Sequence, residues 1–122
     1  MRALLLSACL LATPLATPLV AQENLHHKAS AGLAGRYTVQ GINPDRSAYD
    51  GTLEMTQDGG LYRIVWTISG QTYTGQGRLE GRVLTINWQG DDTPVVYVVM
   101  PDGTLHGTWS DGHALERLDP LR

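Results

Sequence analysis

Apolar and polar residues alternate along most of the chain from Gly35 onward. Across 61–69, Tyr62, Ile64, Trp66 and Ile68 share one face, and Arg63 and Thr67 take the other. Across 82–89, Leu84, Ile86 and Trp88 oppose Thr85 and Asn87. Across 48–57, Tyr49, Gly51, Leu53 and Met55 oppose Asp50, Thr52, Glu54 and Thr56. Across 104–110, Leu105, Gly107 and Trp109 oppose His106, Thr108 and Ser110. A period of two belongs to a strand with one greasy face and one wet face. No stretch carries a helix-length period of 3.6. Turn signals break the pattern at near-even intervals: Asn43-Pro44-Asp45, Asp58-Gly59-Gly60, Ser69-Gly70, Glu80-Gly81, Gly90-Asp91-Asp92, Asp102-Gly103 and Asp111-Gly112. Gly and Asp tolerate the positive φ that tight hairpins need. Eight strands are predicted, over 36–42, 48–57, 61–69, 72–79, 82–89, 94–100, 104–110 and 113–118.

Short hairpins force neighbours in sequence to pair antiparallel. The expected fold is all-β, a small eight-stranded antiparallel up-and-down meander barrel of lipocalin/avidin-like architecture. It occupies residues 35–119 as one domain. Closure removes both sheet edges, which suits a chain whose single Cys allows no internal disulfide. The three Trp and most of the five Tyr (Tyr37, Tyr49, Tyr62, Tyr73, Tyr97) point inward, and an eight-stranded barrel is just wide enough for side chains to fill it. A mostly filled interior is therefore expected. Tyr49-Asp50-Gly51, Tyr73-Thr74-Gly75 and Leu105-His106-Gly107 each place a Gly two residues after a large apolar residue. Such inward glycines make sense if small residues lie opposite Trp66, Trp88 and Trp109 and let the sheet coil. The run Val95-Val96-Tyr97-Val98-Val99-Met100 is apolar on both faces and bracketed by Pro94 and Pro101. It reads as a strand with outward cover, from the leader for example; the rival reading is an apolar stripe for a partner.

The N-terminus carries an export signature. Arg2 precedes the apolar core Ala3 to Leu11, and small residues follow up to Ala21, just before Gln22-Glu23-Asn24. The expectation is a signal peptide over 1–21, then a flexible leader over 22–34. Leu6-Ser7-Ala8-Cys9 matches a lipobox, although only six residues of apolar stretch precede Cys9. The mature chain then keeps eight basic against twelve acidic side chains, a net of −4. That balance excludes a nucleic-acid binder working through a basic face, and argues against docking on anionic membrane. The protein is expected to be exported, periplasmic or secreted, with no membrane span after signal removal.

Candidate chemistry is sparse. Ser110, Asp111 and His113 hold the residue types of a hydrolytic triad within four positions, but Asp111 in a tight turn faces solvent and cannot orient an imidazole. Asp91-Asp92 is a carboxylate pair in a Gly-containing loop, better read as a solvated turn. His26-His27 lack a third metal ligand at useful spacing, and His106 and His113 lie far along the chain. Asn43, Asp45, Ser47 and Asp50 loosely match a calcium loop without its Gly and terminal Glu. No catalytic residue, metal ligand or cofactor is expected, and no ligand-binding residue can be named.

The segment from Gly35 to Asp119 resembles a group of short exported bacterial proteins labelled fibronectin-binding proteins. The matching pieces are Gly35-Arg36-Tyr37-Thr38-Val39-Gln40-Gly41, Asn43-Pro44-Asp45, Tyr49-Asp50-Gly51, Tyr62-Arg63-Ile64-Val65-Trp66, and Tyr73-Thr74-Gly75-Gln76-Gly77 before Leu84-Thr85-Ile86. Pro94-Val95-Val96-Tyr97, Asp102-Gly103-Thr104-Leu105-His106-Gly107-Thr108-Trp109 and Glu116-Arg117-Leu118 complete it. These are Gly, aromatic and turn positions, so the resemblance speaks for structure more than activity. It implies attachment to an extracellular or periplasmic protein such as fibronectin, and transfers no binding residue. Arg46 departs from the turn Gly or Asn expected after Asp45. A fainter likeness to avidins and lipocalins rests on Gly35-x-Tyr37 and Gly107-x-Trp109. The leading expectation is an exported, non-enzymatic binding module using its outer face, its loops or an open edge. The alternative is a carrier of a small hydrophobic ligand in the barrel mouth.

Overall fold

The computed structural model describes residues 32–122. The expected signal peptide over 1–21 and most of the expected leader, with Cys9, His26 and His27, lie outside the described residues. Eight strands follow one another: β1 Gly35–Ile42, β2 Ala48–Asp58, β3 Leu61–Ile68, β4 Gln71–Glu80, β5 Val83–Trp88, β6 Val95–Val99, β7 Leu105–Trp109 and β8 Ala114–Pro120. Each pairs antiparallel with the next, and β1 pairs with β8, so the sheet is a closed barrel. The expected architecture holds, with strand ends within two residues of the predicted ones. Closure leaves no free edge among these strands, so adding a strand to an extended partner is not a route open to this barrel.

The faces follow the sequence pattern. Leu53, Met55, Tyr62, Ile64, Trp66, Leu84, Ile86, Leu105 and Leu118 are buried inside, and Arg63, Thr67, Thr85 and His106 are exposed outside. In β6, Val95 and Tyr97 point in; Val98 stays exposed on the outside beside its cross-strand neighbour Val83.

The two ends of the barrel differ. At one end lie the turns after β2, β4 and β6, together with the start of β1 and the end of β8. That end is packed solid by Tyr37, Met55, Tyr62, Leu84, Leu105 and Leu118. Leu33 closes it: its side chain is buried, and Tyr37 donates its hydroxyl to the Leu33 carbonyl at 2.7 Å. Leu33 was expected in the leader; it belongs to the barrel because a large apolar side chain gains more from covering the core than from water.

The opposite end is built by the turns after β1, β3, β5 and β7, and it is open. A mostly filled interior was expected; the closed end is filled, but the other end holds a cavity. The expected partners of the tryptophans also need one correction. Trp88 does face Gly75, and Trp109 faces Ala114. Trp66 instead sits between Leu53 and Tyr73, so it has no small neighbour across either strand pair.

Candidate binding site in the barrel mouth

The open end holds a cavity of about 290 Å³. Its walls are aromatic and aliphatic: Tyr49 from β2, Ile68 from β3, Tyr73 from β4, Trp88 from β5, Val95 from β6 and Trp109 from β7. Asn43, Ser69 and Gln71 give it a polar rim, and Trp66 and Glu116 lie at its buried floor. Neighbouring rings meet edge to face. Trp88 approaches Trp109 at 5.7 Å between centroids and 80° between planes. It approaches Trp66 and Tyr73 at 6.1 Å, and Tyr49 approaches Trp109 at 6.4 Å.

Glu116 is the candidate site residue that the sequence pattern did not single out. In β8, Ala114, Glu116 and Leu118 share the inward face, so the carboxyl enters the bore. Its neighbours across both strand pairs are glycines, Gly41 on β1 and Gly107 on β7. These glycines create the space its partners use. A Cβ on Gly41 would lie 2.1 Å from the Tyr49 ring, and one on Gly107 would lie 2.4 Å from the Tyr97 ring. The two rings therefore cross the missing side chains and bring their hydroxyls onto the carboxyl. Tyr49 donates to Oε1 at 2.7 Å. Tyr97 donates to Oε2, and the Trp66 indole N–H reaches both Oε2 and the Tyr97 hydroxyl at 3.0 Å.

The indole bonds can run in one direction only, and they leave the phenol protons for the carboxyl. An indole N–H only donates. Trp109 donates to the Tyr49 oxygen at 2.9 Å, so the Tyr49 proton is free to point onward to Glu116. Tyr97 likewise accepts from Trp66 and donates its proton to Oε2. Both carboxyl oxygens accept, an arrangement that favours the charged form. Burial pushes the Glu116 carboxyl above the ordinary glutamate range, and the donated bonds from Tyr97, Tyr49 and Trp66 pull it back. Burial first, then the adjacent carboxylate, raises both the Tyr49 and the Tyr97 phenols. The phenols thus remain protonated donors.

The rim is held by its own turns. In the turn after β1, Asp45 Oδ1 accepts from the Ser47 N–H at 2.9 Å and the Ser47 hydroxyl at 2.6 Å. Asn43 Nδ2 donates to Ser47 Oγ at 3.0 Å. The polar groups that loosely matched a calcium loop spend themselves on this turn, with Asp50 away from it on β2. Arg46 takes the left-handed conformation there, at φ 75°. That is the place where a Gly or Asn was expected, and the bonds around it offset the strain. In the turn after β5, the Trp88 indole donates to the Thr93 carbonyl at 3.2 Å, and Asp91 accepts from the Thr93 N–H at 3.1 Å. Asp91 thereby shapes the loop that holds a wall of the cavity. In the turn after β7, His113 Nδ1 lies 2.9 Å from the Ser110 carbonyl, so the imidazole bonds backbone and not the Ser110 hydroxyl. Ser110 and Asp111 both have left-handed backbones. Among the described residues no group of three or more His, Cys, Asp or Glu is placed to hold a metal ion.

No protein-family model and no curated protein matches this chain. Solved structures do. A redesigned β-barrel superposes with a TM-score of 0.57 at 14% identity, covering 78% of this chain and 96% of its own. A second redesigned barrel, mFAP0 bound to DFHBI, superposes with a TM-score of 0.52 at 22% identity, covering 72% of this chain and 98% of its own. At these identities the likeness shows the fold and nothing further.

Proposed function

We propose that this chain is an exported, non-enzymatic binding protein that takes up one small, largely apolar molecule in the barrel mouth. The observation that carries the reading is the cavity of about 290 Å³ walled by Tyr49, Tyr73, Trp88 and Trp109 over a buried polar floor. Ligand sites are concave, mostly apolar, and equipped with a few converging polar groups. A filled core has no need of an open end, and half-exposed indoles are a poor surface for a protein to leave unused. The space equals about ten waters by their share of liquid volume, so the occupant is compact. The barrel mFAP0 offers a precedent within the fold, since it is bound to DFHBI. The non-enzymatic part rests on the lining: one carboxyl engaged by three donors, no His and no Cys. Export rests on Arg2 and the apolar core from Ala3 to Leu11.

Titration calorimetry of the purified chain with neutral aromatic compounds of about ten heavy atoms tests this reading. One-to-one binding is expected, and Ile68→Trp, which fills the mouth, is expected to abolish it while the barrel still melts cooperatively. Absence of uptake across the panel, with saturable binding to immobilised fibronectin at physiological salt, would move the function to the outer face and the partner that the family resemblance implies.

A further inference from the structure

We infer that the mouth selects an organic cation, a protonated amine carried on a compact apolar or aromatic body. This deepens the small-ligand reading and rests on it. Three observations converge. First, the cavity floor carries a carboxylate bonded only by neutral donors, and no Lys, Arg or His lines the cavity. The side-chain ion pair of Arg117 with Asp119 lies on the outer face. A buried charge without a counter-charge is costly, and a cation delivered from outside supplies one. Second, the carboxylate is unevenly loaded. Oε2 accepts from Tyr97 and Trp66, whereas Oε1 accepts from Tyr49 alone. Oε1 keeps capacity for one further donor, which an ammonium N–H provides. Third, the walls above it are the electron-rich rings of Tyr49, Tyr73, Trp88 and Trp109, which line the cavity and meet at edge-to-face angles. A cation within about 6 Å of the face of such a ring gains cation–π attraction, most strongly with Trp and in desolvated places. An anion would meet the Glu116 charge and the negative faces of the rings together.

The opposing groups around the carboxyl are few. Tyr49 reaches it from β2, Trp66 from β3 and Tyr97 from β6, and both phenols stay protonated throughout the carboxyl's titration. Cation binding therefore reports on Glu116 itself.

Three probes of similar size separate the possibilities in calorimetry: protonated 2-phenylethylamine, the neutral 2-phenylethanol, and the anion 3-phenylpropionate. The amine is expected to bind at least about tenfold more tightly than the alcohol, and the anion not measurably. Amine affinity should fall as pH drops through the Glu116 titration, while alcohol affinity stays flat. Glu116→Gln should lower the amine's affinity far more than the alcohol's, so that the preference for the amine is lost. If that variant does not fold, Trp88→Leu serves, and should weaken the amine more than the alcohol. Equal affinity for amine and alcohol, or a pH-independent preference, overturns the cation inference and leaves the small-ligand reading standing. Failure of all three probes overturns both.

Discussion

The two ends of this barrel are made from the same strands and do opposite things. At the closed end, side chains from all around the bore meet and exclude water, with Leu84, Leu105 and Leu118 fully buried. At the open end, Trp88, Trp109, Tyr49 and Tyr73 are only partly covered. The turns differ too. Those at the closed end reach positive φ with Gly59, Gly81 and Gly103. Every non-glycine residue with positive φ (Arg46, Ser69, Ser110 and Asp111) lies in a mouth turn. Left-handed backbone on residues with a Cβ costs about 1–2 kcal/mol each, less for Asp, and such strain gathers where structure serves something besides stability. The closed end is arranged to hold the fold, and the mouth accepts exposure and strain for the sake of its opening.

Substitutions at each end should break this contrast if it is false. The largest effect belongs to the closed end: Leu84→Ala should cost about 2–5 kcal/mol in denaturant unfolding, with ligand affinity of the folded fraction unchanged. Next comes the waist between the ends. Gly107→Ala places a Cβ against the Tyr97 ring, which is buried and pinned by Glu116 and Trp66. About 1–3 kcal/mol of destabilisation should follow, and a neutral result would show that the ring can retreat. The carboxyl at the floor should appear in the pH dependence. Burial raises its pKa in the folded state, so its contribution favours the fold below the ordinary carboxylate range and is lost as pH rises through the raised value. Unfolding curves of the wild type and Glu116→Gln should therefore shift against the wild type as pH rises through that window. Asp45, Asp102 and Asp119, whose pKa values are lowered by hydrogen bonds from Ser47, Thr104 and Arg117, are common to both proteins and cancel. A gap independent of pH would contradict the burial argument. Tyr73→Leu, at the mouth wall, should cost about 1 kcal/mol or less while weakening ligand binding measurably, the inverse of Leu84→Ala. The smallest effect is a gain: Arg46→Gly should raise stability by up to about 1 kcal/mol, read as a shift in the unfolding midpoint.

The strand count, the closure and most faces were legible because a period of two and evenly spaced turns leave little choice in a chain this short. Position along the bore was not legible. Alternation tells whether Trp88 points inward but not whether its ring meets another side chain or an opening, and a filled barrel and a half-hollow one share the same pattern. Glu116 escaped for a second reason. The stretch Ala114-Leu115-Glu116-Arg117-Leu118 offers a leucine to either face, and Leu115 is exposed whereas Leu118 is buried. Only the closed register, which sets Glu116 between Gly41 and Gly107, settles the matter. Gly41 and Gly107 were themselves visible in the sequence, and they are the trace by which an inward carboxylate between two small neighbours can be sought.

The pairing of β1 with β8 also decides how the molecule can be held. Tyr37 stands opposite Pro120, and the Leu121 N–H donates to the Arg36 carbonyl at 2.8 Å. The first and last described residues thus leave from one base, on the side away from the mouth. A linkage made directly at residue 32 or residue 122 would grip the vessel by its foot and leave its lip unobstructed.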